Sequence, residues 1–215
     1  MKKKYRAVLF DLDGVICHTD KYHYLAWKEL ADGIGINFDE KINNRMRGVG
    51  RMQSLDILLG AHSADFSADE KMRMAEKKNN DYKRYLIQMN PDDLEDEVFN
   101  TLKIIRTMGL KMAIGSSSKN TPLILKQIGL KSFFDAVSDG NSISRPKPDP
   151  EVYLLACSLI SEEPKACLVV EDAVSGIEAA FAAGMDCAAM GDAAKYKIAT
   201  YDLARFSDIL SVLSI

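Results

Sequence analysis

Short apolar runs that close on polar clusters recur along this chain, at residues 7–10, 111–115, 136–138, 167–170 and 187–190. Runs of this length without alternation read as strands buried on both faces, the texture of a parallel sheet. Amphipathic helical patterns fill the gaps after residue 94. Strands alternating with helices imply right-handed crossovers, so the expected fold is α/β, a doubly wound (Rossmann-like) parallel sheet. About a hundred residues separate the first two runs, far more than a crossover needs. Helical patterns at 22–30, 54–59 and 68–86 occupy that span, with Lys, Glu and Asp on faces expected to be solvated, the charges of 71–84 among them. The pattern predicts an inserted α-helical cap domain at 18–92, with its return linker at Met89-Asn90-Pro91-Asp92. The core domain is expected to comprise 1–17 and 93–215.

Composition narrows the function. The chain has 215 residues, 47% of them hydrophobic, which is enough for a sizeable core. A net charge of −3, with basic residues spread along the chain, lacks the electrostatic footprint of a nucleic-acid binder. No stretch approaches the ~20 apolar residues that span a bilayer. The apolar residues behind Lys2, Lys3 and Lys4 are interrupted by Asp11 and Asp13 before they could serve as a signal peptide. Cys17, Cys157, Cys167 and Cys187 form no C-x-x-C pair, so neither a zinc site nor a redox pair is signalled and reduced, mostly buried thiols are expected. The expectation is a cytoplasmic protein, taken as a monomer, that acts on a small molecule rather than on nucleic acid or a membrane.

The polar clusters carry the chemistry. Asp11 and Asp13 follow the first run, just before Gly14; Ser116, Ser117, Ser118, Lys119 and Asn120 follow the second. Arg145-Pro146-Lys147-Pro148-Asp149 lies after the third, and Glu171 with Asp172 after the fourth. Taken singly, each has an ordinary explanation: a turn or helix cap for the aspartates and serines, a helix-start pair for Glu171 and Asp172, a solvated lysine for Lys147. In a parallel sheet, however, they converge along one edge, outside the carboxyl ends of the strands where ligands bind. Carboxylates from two strand ends suit a hard cation such as Mg²⁺, and hydroxyls ahead of a helix suit phosphate oxygens. Lys147 would screen both. One of the peptide bonds Arg145–Pro146 and Lys147–Pro148 is expected to be cis, since such bonds occur in tight turns.

In order and over the whole chain, these strings resemble the motifs of the haloacid dehalogenase superfamily of phosphoryl-transfer enzymes. The resemblance implies that Asp11 is the nucleophile that forms an aspartyl phosphate and Asp13 the general acid/base. It further implies Mg²⁺ held by Asp11, the backbone carbonyl of Asp13, Glu171 and Asp172, with Ser116 and Lys147 on the transferring phosphoryl group.

The insertion is similar to that of the β-phosphoglucomutase family around Thr19, His23, Ala26-Trp27 and Arg47-Gly48-Val49-Gly50-Arg51-Met52-Gln53-Ser54. Gly48, Val49, Arg51 and Ser54 match that family's motif; Arg47 stands for its lysine, and His18 where its members often carry an aspartate. By this resemblance Arg51 grips the second, non-transferring phosphate of a sugar bisphosphate, helped by Ser118, Lys119 and Asn120, with Ser117 in the same phosphate loop. Gly48 and Val49 approach the sugar, His23 positions Asp13, and Thr19 belongs to the linker. Trp27 is weighed equally between the sugar site and the cap core. The implied activity is Mg²⁺-dependent interconversion of β-D-glucose 1-phosphate and glucose 6-phosphate through a glucose 1,6-bisphosphate; the alternative is a sugar-phosphate phosphatase. A non-catalytic phosphosugar sensor is disfavoured because recognition alone needs no nucleophile.

Overall fold

The computed structural model describes residues 4–46 and 49–214, so the positions of Arg47 and Gly48 lie outside the described residues. Strands β1 (Ala7–Phe10) and β2 (Lys111–Gly115) coincide with the first two apolar runs, and every side chain of β1 is buried. Strands without a solvated face must be covered on both sides by helices, which requires crossovers and parallel pairing. The sheet is parallel in all its pairings and runs β3 (Ala136–Ser138), β2, β1, β4 (Cys167–Glu171), β5 (Asp186–Ala189), β6 (Tyr201–Asp202). The chain thus begins mid-sheet, walks to one edge, and returns to build the other half from β4. The order reverses between β1 and β4, the switch point of a doubly wound sheet. Phe10 lies opposite both Ile114 and Val170, so these three strands end level and the residues after them emerge together.

Differences from the expected strands are small and local. β4 extends to Glu171, and β5 ends at Ala189 rather than at Met190. β6 has two residues, too few for any pattern to reveal. On one face, α7 (Glu151–Leu159) and α8 (Val174–Ala182) bury Val152, Tyr153, Ile177 and Ala180 against Leu9, Ala113 and Val169. By two-residue alternation Phe10 points the other way, where its ring meets Phe134 and Phe206 at 6.2 and 5.8 Å. The Lys147–Pro148 bond is cis. The cysteines are free and buried, but Cys157 and Cys167 bring their sulfurs within 3.6 Å, a proximity that their sequence spacing did not signal.

The described residues divide into two compact units, 4–18 with 90–214, and 19–89. The second is helical: α1 (Asp20–Gly33), α2 (Glu40–Asn44), α3 (Arg51–Leu59) and α4 (Ala68–Leu86). α4 starts on a capping box between Ser67 and Glu70, which satisfies backbone donors at the helix start. α2 was not anticipated; it is five residues long and is capped by the Asp39 carboxylate, which accepts from the amide of Ile42. Trp27, Leu30, Phe38, Leu55, Leu58 and Ala75 form the core of this unit.

The expectation that the charges of 71–84 are all solvated is corrected here. Lys78 is 3% exposed and Asp81 8%. Lys78 falls on the buried stripe Ala75, Lys78, Tyr82 and Leu86 of α4, whose three- and four-residue spacing makes one helix face. No described helix is long and apolar enough to cross a membrane.

Candidate active site

Asp11 is the first residue after β1, and its amide donates to the carbonyl of Val170 at 3.0 Å, which ties it to the end of β4. Its carboxylate is buried. Lys147 approaches from the loop before α7, donating to Oδ1 of Asp11 at 2.5 Å and to Oε1 of Glu171 at 2.6 Å. Tyr153 donates to that same Glu171 oxygen at 2.6 Å, while the amides of Asp172 and Ala173 donate to Oε2 at 3.0 and 3.2 Å. Two glycines make room. A Cβ on Gly176 would overlap the Glu171 carboxylate, and one on Gly14, whose φ is +90°, would overlap that of Asp172.

Asp11, Glu171 and Asp172 each offer an oxygen, and these oxygens lie within 4.8 Å of one another. Burial pushes the Asp11 carboxyl well above its ordinary value; Lys147 opposes the rise, and Glu171, Asp172 and Asp13 add to it. Burial by itself would depress Lys147, but Asp11 and Glu171 outweigh it and hold the ammonium above its ordinary value, hence charged. One ammonium does not offset this many carboxylates. The group is short of positive charge and rich in hard oxygen donors, which is the donor set of a magnesium site. Glu171 enters it with both oxygens already engaged by protein donors, so a direct bond from it to an ion would displace one of them.

The second polar cluster lies at the same sheet edge, because β1 and β2 end in register. The amide of Ser116 donates to the carbonyl of Ser138 at 3.0 Å, Ser116 Oγ accepts from the amide of Ser118, and Ser118 Oγ accepts from that of Asn120. Ser116 and Asn120 are buried, Ser117 and Ser118 half-buried, and Lys119 exposed. The turn after β3 braces this loop from below: Gly140 donates to the carbonyl of Ser118, and Asn141 Nδ2 to that of Lys119. Ser117 Oγ accepts from the amide of Lys147 at 3.2 Å. The half-buried Asp13 pairs in an isolated bridge with Cys17 and contributes to the field on Asp11.

Within the helical unit, buried Thr19 begins α1, its carbonyl accepting from the amides of Tyr22 and His23. Lys78 Nζ lies 2.8 Å from His23 Nδ1, and the imidazole stacks on Tyr82 with centroids 4.0 Å apart. An ammonium only donates, so Nδ1 is the acceptor and the imidazole proton sits on Nε2. Burial, Lys78 and Arg51 hold His23 well below its ordinary value, so it is neutral. Arg51, the first residue of α3, donates from Nη2 to Oδ1 of Asn79 at 2.8 Å. Burial lowers its pKa as well. Ser54 is buried one turn on, and Val49 packs on the core of this unit. Trp27 is 3% exposed within that core, with Lys78 Nζ 4.7 Å above its ring. His18 and His62 are exposed, with Nε2 of His18 3.5 Å from Glu95 and Nδ1 of His62 3.1 Å from Asp65.

Three residues escaped the sequence reading. Tyr153 left no signal beyond its helical spacing. Lys78 had one, since it falls on the apolar stripe of α4. Asn79 had none, because its partner is 28 residues away.

Comparison with known proteins places this geometry. The haloacid dehalogenase-like hydrolase family matches residues 5–184. A β-phosphoglucomutase of Bacillus subtilis is 36% identical over 188 residues, 86% of this chain and 83% of that protein. A phosphorylated carbohydrates phosphatase of Thermotoga maritima is 31% identical over 183 residues, 84% and 82% of the two chains. Among solved structures, a β-phosphoglucomutase from Clostridium difficile superposes with a TM-score of 0.89 at 34% identity, covering 95% of this chain and 93% of that one.

Proposed function

The chain belongs to the haloacid dehalogenase-like hydrolase family, and on that premise we propose that it is a Mg²⁺-dependent phosphoglucomutase. Its reaction would interconvert β-D-glucose 1-phosphate and glucose 6-phosphate through a glucose 1,6-bisphosphate. The observation that carries this reading over simple hydrolysis is Arg51. Among the described residues this half-buried guanidinium has a neutral amide as its partner and no carboxylate, which suits it to a second phosphate that a monophosphate substrate lacks.

Each residue then has a task that its surroundings support. An Asp11 carboxylate oxygen bonds to phosphorus as the phosphorus–oxygen bond to the sugar breaks, leaving an aspartyl phosphate and a sugar hydroxyl. Asp13 gives its proton to the departing sugar oxygen and takes one back from the hydroxyl that attacks in the return transfer. Lys147 stays beside Asp11 and neutralises charge on the equatorial phosphoryl oxygens, with Ser116 donating from its hydroxyl. Asp11, the Asp13 carbonyl, Glu171 and Asp172 would hold Mg²⁺, which would supply further charge neutralisation when bound. Neutral His23, its proton on Nε2, would orient Asp13 as a hydrogen-bond donor. Arg51 grips the phosphate that does not transfer, with Lys119 and Asn120 assisting; Val49 and Ser54 would line the sugar.

The decisive assay supplies purified protein with Mg²⁺, a trace of glucose 1,6-bisphosphate and each anomer of glucose 1-phosphate. Formation of glucose 6-phosphate from the β anomer is expected. Release of phosphate without isomerisation would replace this reading by the second one, a sugar-phosphate phosphatase, which the relationship to the Thermotoga maritima phosphatase favours.

A further inference from the structure

Asn79 stands beside Lys78 on α4, and its side-chain oxygen accepts from Arg51 Nη2 at 2.8 Å. We infer that Asn79 is a positioning residue that aims Arg51 while leaving its charge uncompensated, and so sets the preference for substrates with two phosphates over those with one. The inference rests on the reading of Arg51 as the grip for the second phosphate.

The argument is one of charge and geometry. A guanidinium only donates, so the Asn79 amide must turn Oδ1 toward it. That single bond spends one of the ~5 donors of the fork and leaves the others for a ligand. A carboxylate in the same place would hold Arg51 as well or better, but would cancel its charge and compete with phosphate for the same fork. The acid of this stretch of α4, Asp81, faces away from Asn79 by its two-residue spacing and takes Lys77 at 2.7 Å and Arg84 at 2.8 Å. Arg51 meanwhile sits where burial disfavours its charge, and Lys78 and Arg51 both act on His23. Arg51 therefore carries an uncompensated positive charge in a partly desolvated place, held by a neutral amide. An arriving dianion would compensate that charge; a ligand whose one phosphate is spent at Asp11 would not.

The test separates charge from packing by its sign. Asn79→Asp keeps the shape and the acceptor but adds a negative charge, whereas Asn79→Ala removes the bond and adds none. Steady-state kinetics with glucose 1,6-bisphosphate and with a simple aryl phosphate are measured for both, for Asn79→Ser and for Arg51→Ala, after thermal melts confirm folding. Asn79→Asp is expected to raise KM for the bisphosphate by roughly tenfold or more, the scale of one charge-assisted hydrogen bond. It should exceed the losses in the Ala and Ser variants and exceed its own effect on the aryl phosphate. Asn79→Asp that is no worse than Asn79→Ala overturns the inference and leaves Asn79 a packing residue. Arg51→Ala with equal losses on both substrates instead removes the reading of Arg51 itself, an outcome the Asn79 comparison alone cannot produce.

Discussion

Tyr153 and Glu171 share a fully buried hydrogen bond of 2.6 Å, and the acceptor oxygen is the one that also receives Lys147. The Tyr153 ring further lies beneath the ammonium at 4.7 Å and packs so closely on Gly115 that a Cβ there would come within 2.7 Å of it. A residue of the α7 interior therefore orients both the cation and the acid at the sheet edge. Tyr153→Phe keeps the ring and removes the donor. It should destabilise the protein by about 1.5–3 kcal/mol, the range for a hydrogen bond to a charged group, and lower kcat more than it raises KM. Denaturant melts and steady-state kinetics check both; an unchanged midpoint would show that the hydroxyl is dispensable.

Asp11→Asn removes the attacking oxygen while its amide remains tied to Val170 and Lys147 keeps Glu171 as partner. Phosphoryl transfer should fall by roughly a thousandfold or more, the scale of losing a nucleophile. The melting temperature should stay close to that of the parent, because the substitution also takes one like charge out of a crowded acidic group. A variant that retains turnover would sink the nucleophile assignment.

Gly176→Ala places a methyl where the Glu171 carboxylate lies. Either α8 retreats or Glu171 leaves its four donors, so a cost of roughly 1–3 kcal/mol, as for overpacking a core, is expected. Affinity for Mg²⁺, read by titrating activity against the ion, should weaken in parallel. Full stability with full metal affinity would contradict the packing described.

Lys78→Met removes a cation 2.8 Å from His23 Nδ1. Burial comes first and Lys78 second among the causes that hold His23 down. The histidine pKa should therefore rise in the variant yet stay below its ordinary value. With only three histidines in the chain, the imidazole resonances can be followed individually by NMR against pH. No upward movement would mean that the ammonium does not act on His23.

Glu97, in the first turn of α5 (Asp96–Thr107), accepts from Arg205 at 3.0 Å and from the amide and hydroxyl of Ser207 at 3.1 and 2.7 Å. These contacts pull its pKa down from 4.5 to about 2. A carboxyl whose folded value is depressed stabilises the native state above its unfolded pKa, and that contribution disappears as pH falls through the folded one. Glu97→Gln should therefore melt below the parent at neutral pH, with the gap closing between about pH 4.5 and pH 2. A gap that is constant across that interval would exclude the linkage.

Much of this molecule is legible in the order of its residues. The apolar runs predict β1 and β2 to the residue, because the interior of a strand buried on both faces is apolar and the polar residues Asp11 and Ser116 mark where each run stops. The capping box at Ser67 likewise marks the start of α4 without any help from tertiary contacts. Strand β6 and helix α2 were not legible, since two and five residues are too short for a period to register and each is held by its neighbours.

The acids at the strand ends could be read as candidates because strand order alone delivers them to a common edge. What surrounds them could not. Whether Lys78 is solvated or buried depends on which face of α4 turns toward α1, and whether Asn79 meets Arg51 depends on how α3 lies against α4. The sequence by itself determined the alternation of strands and helices, the bounds of β1, β2, β3 and α4, and which chemistry stands at each strand terminus, since these follow from neighbours along the chain. Only the tertiary structure decided the partners of Glu171, His23 and Arg51, because desolvation and Coulomb fields act through space between residues whose separation in sequence says nothing of their distance.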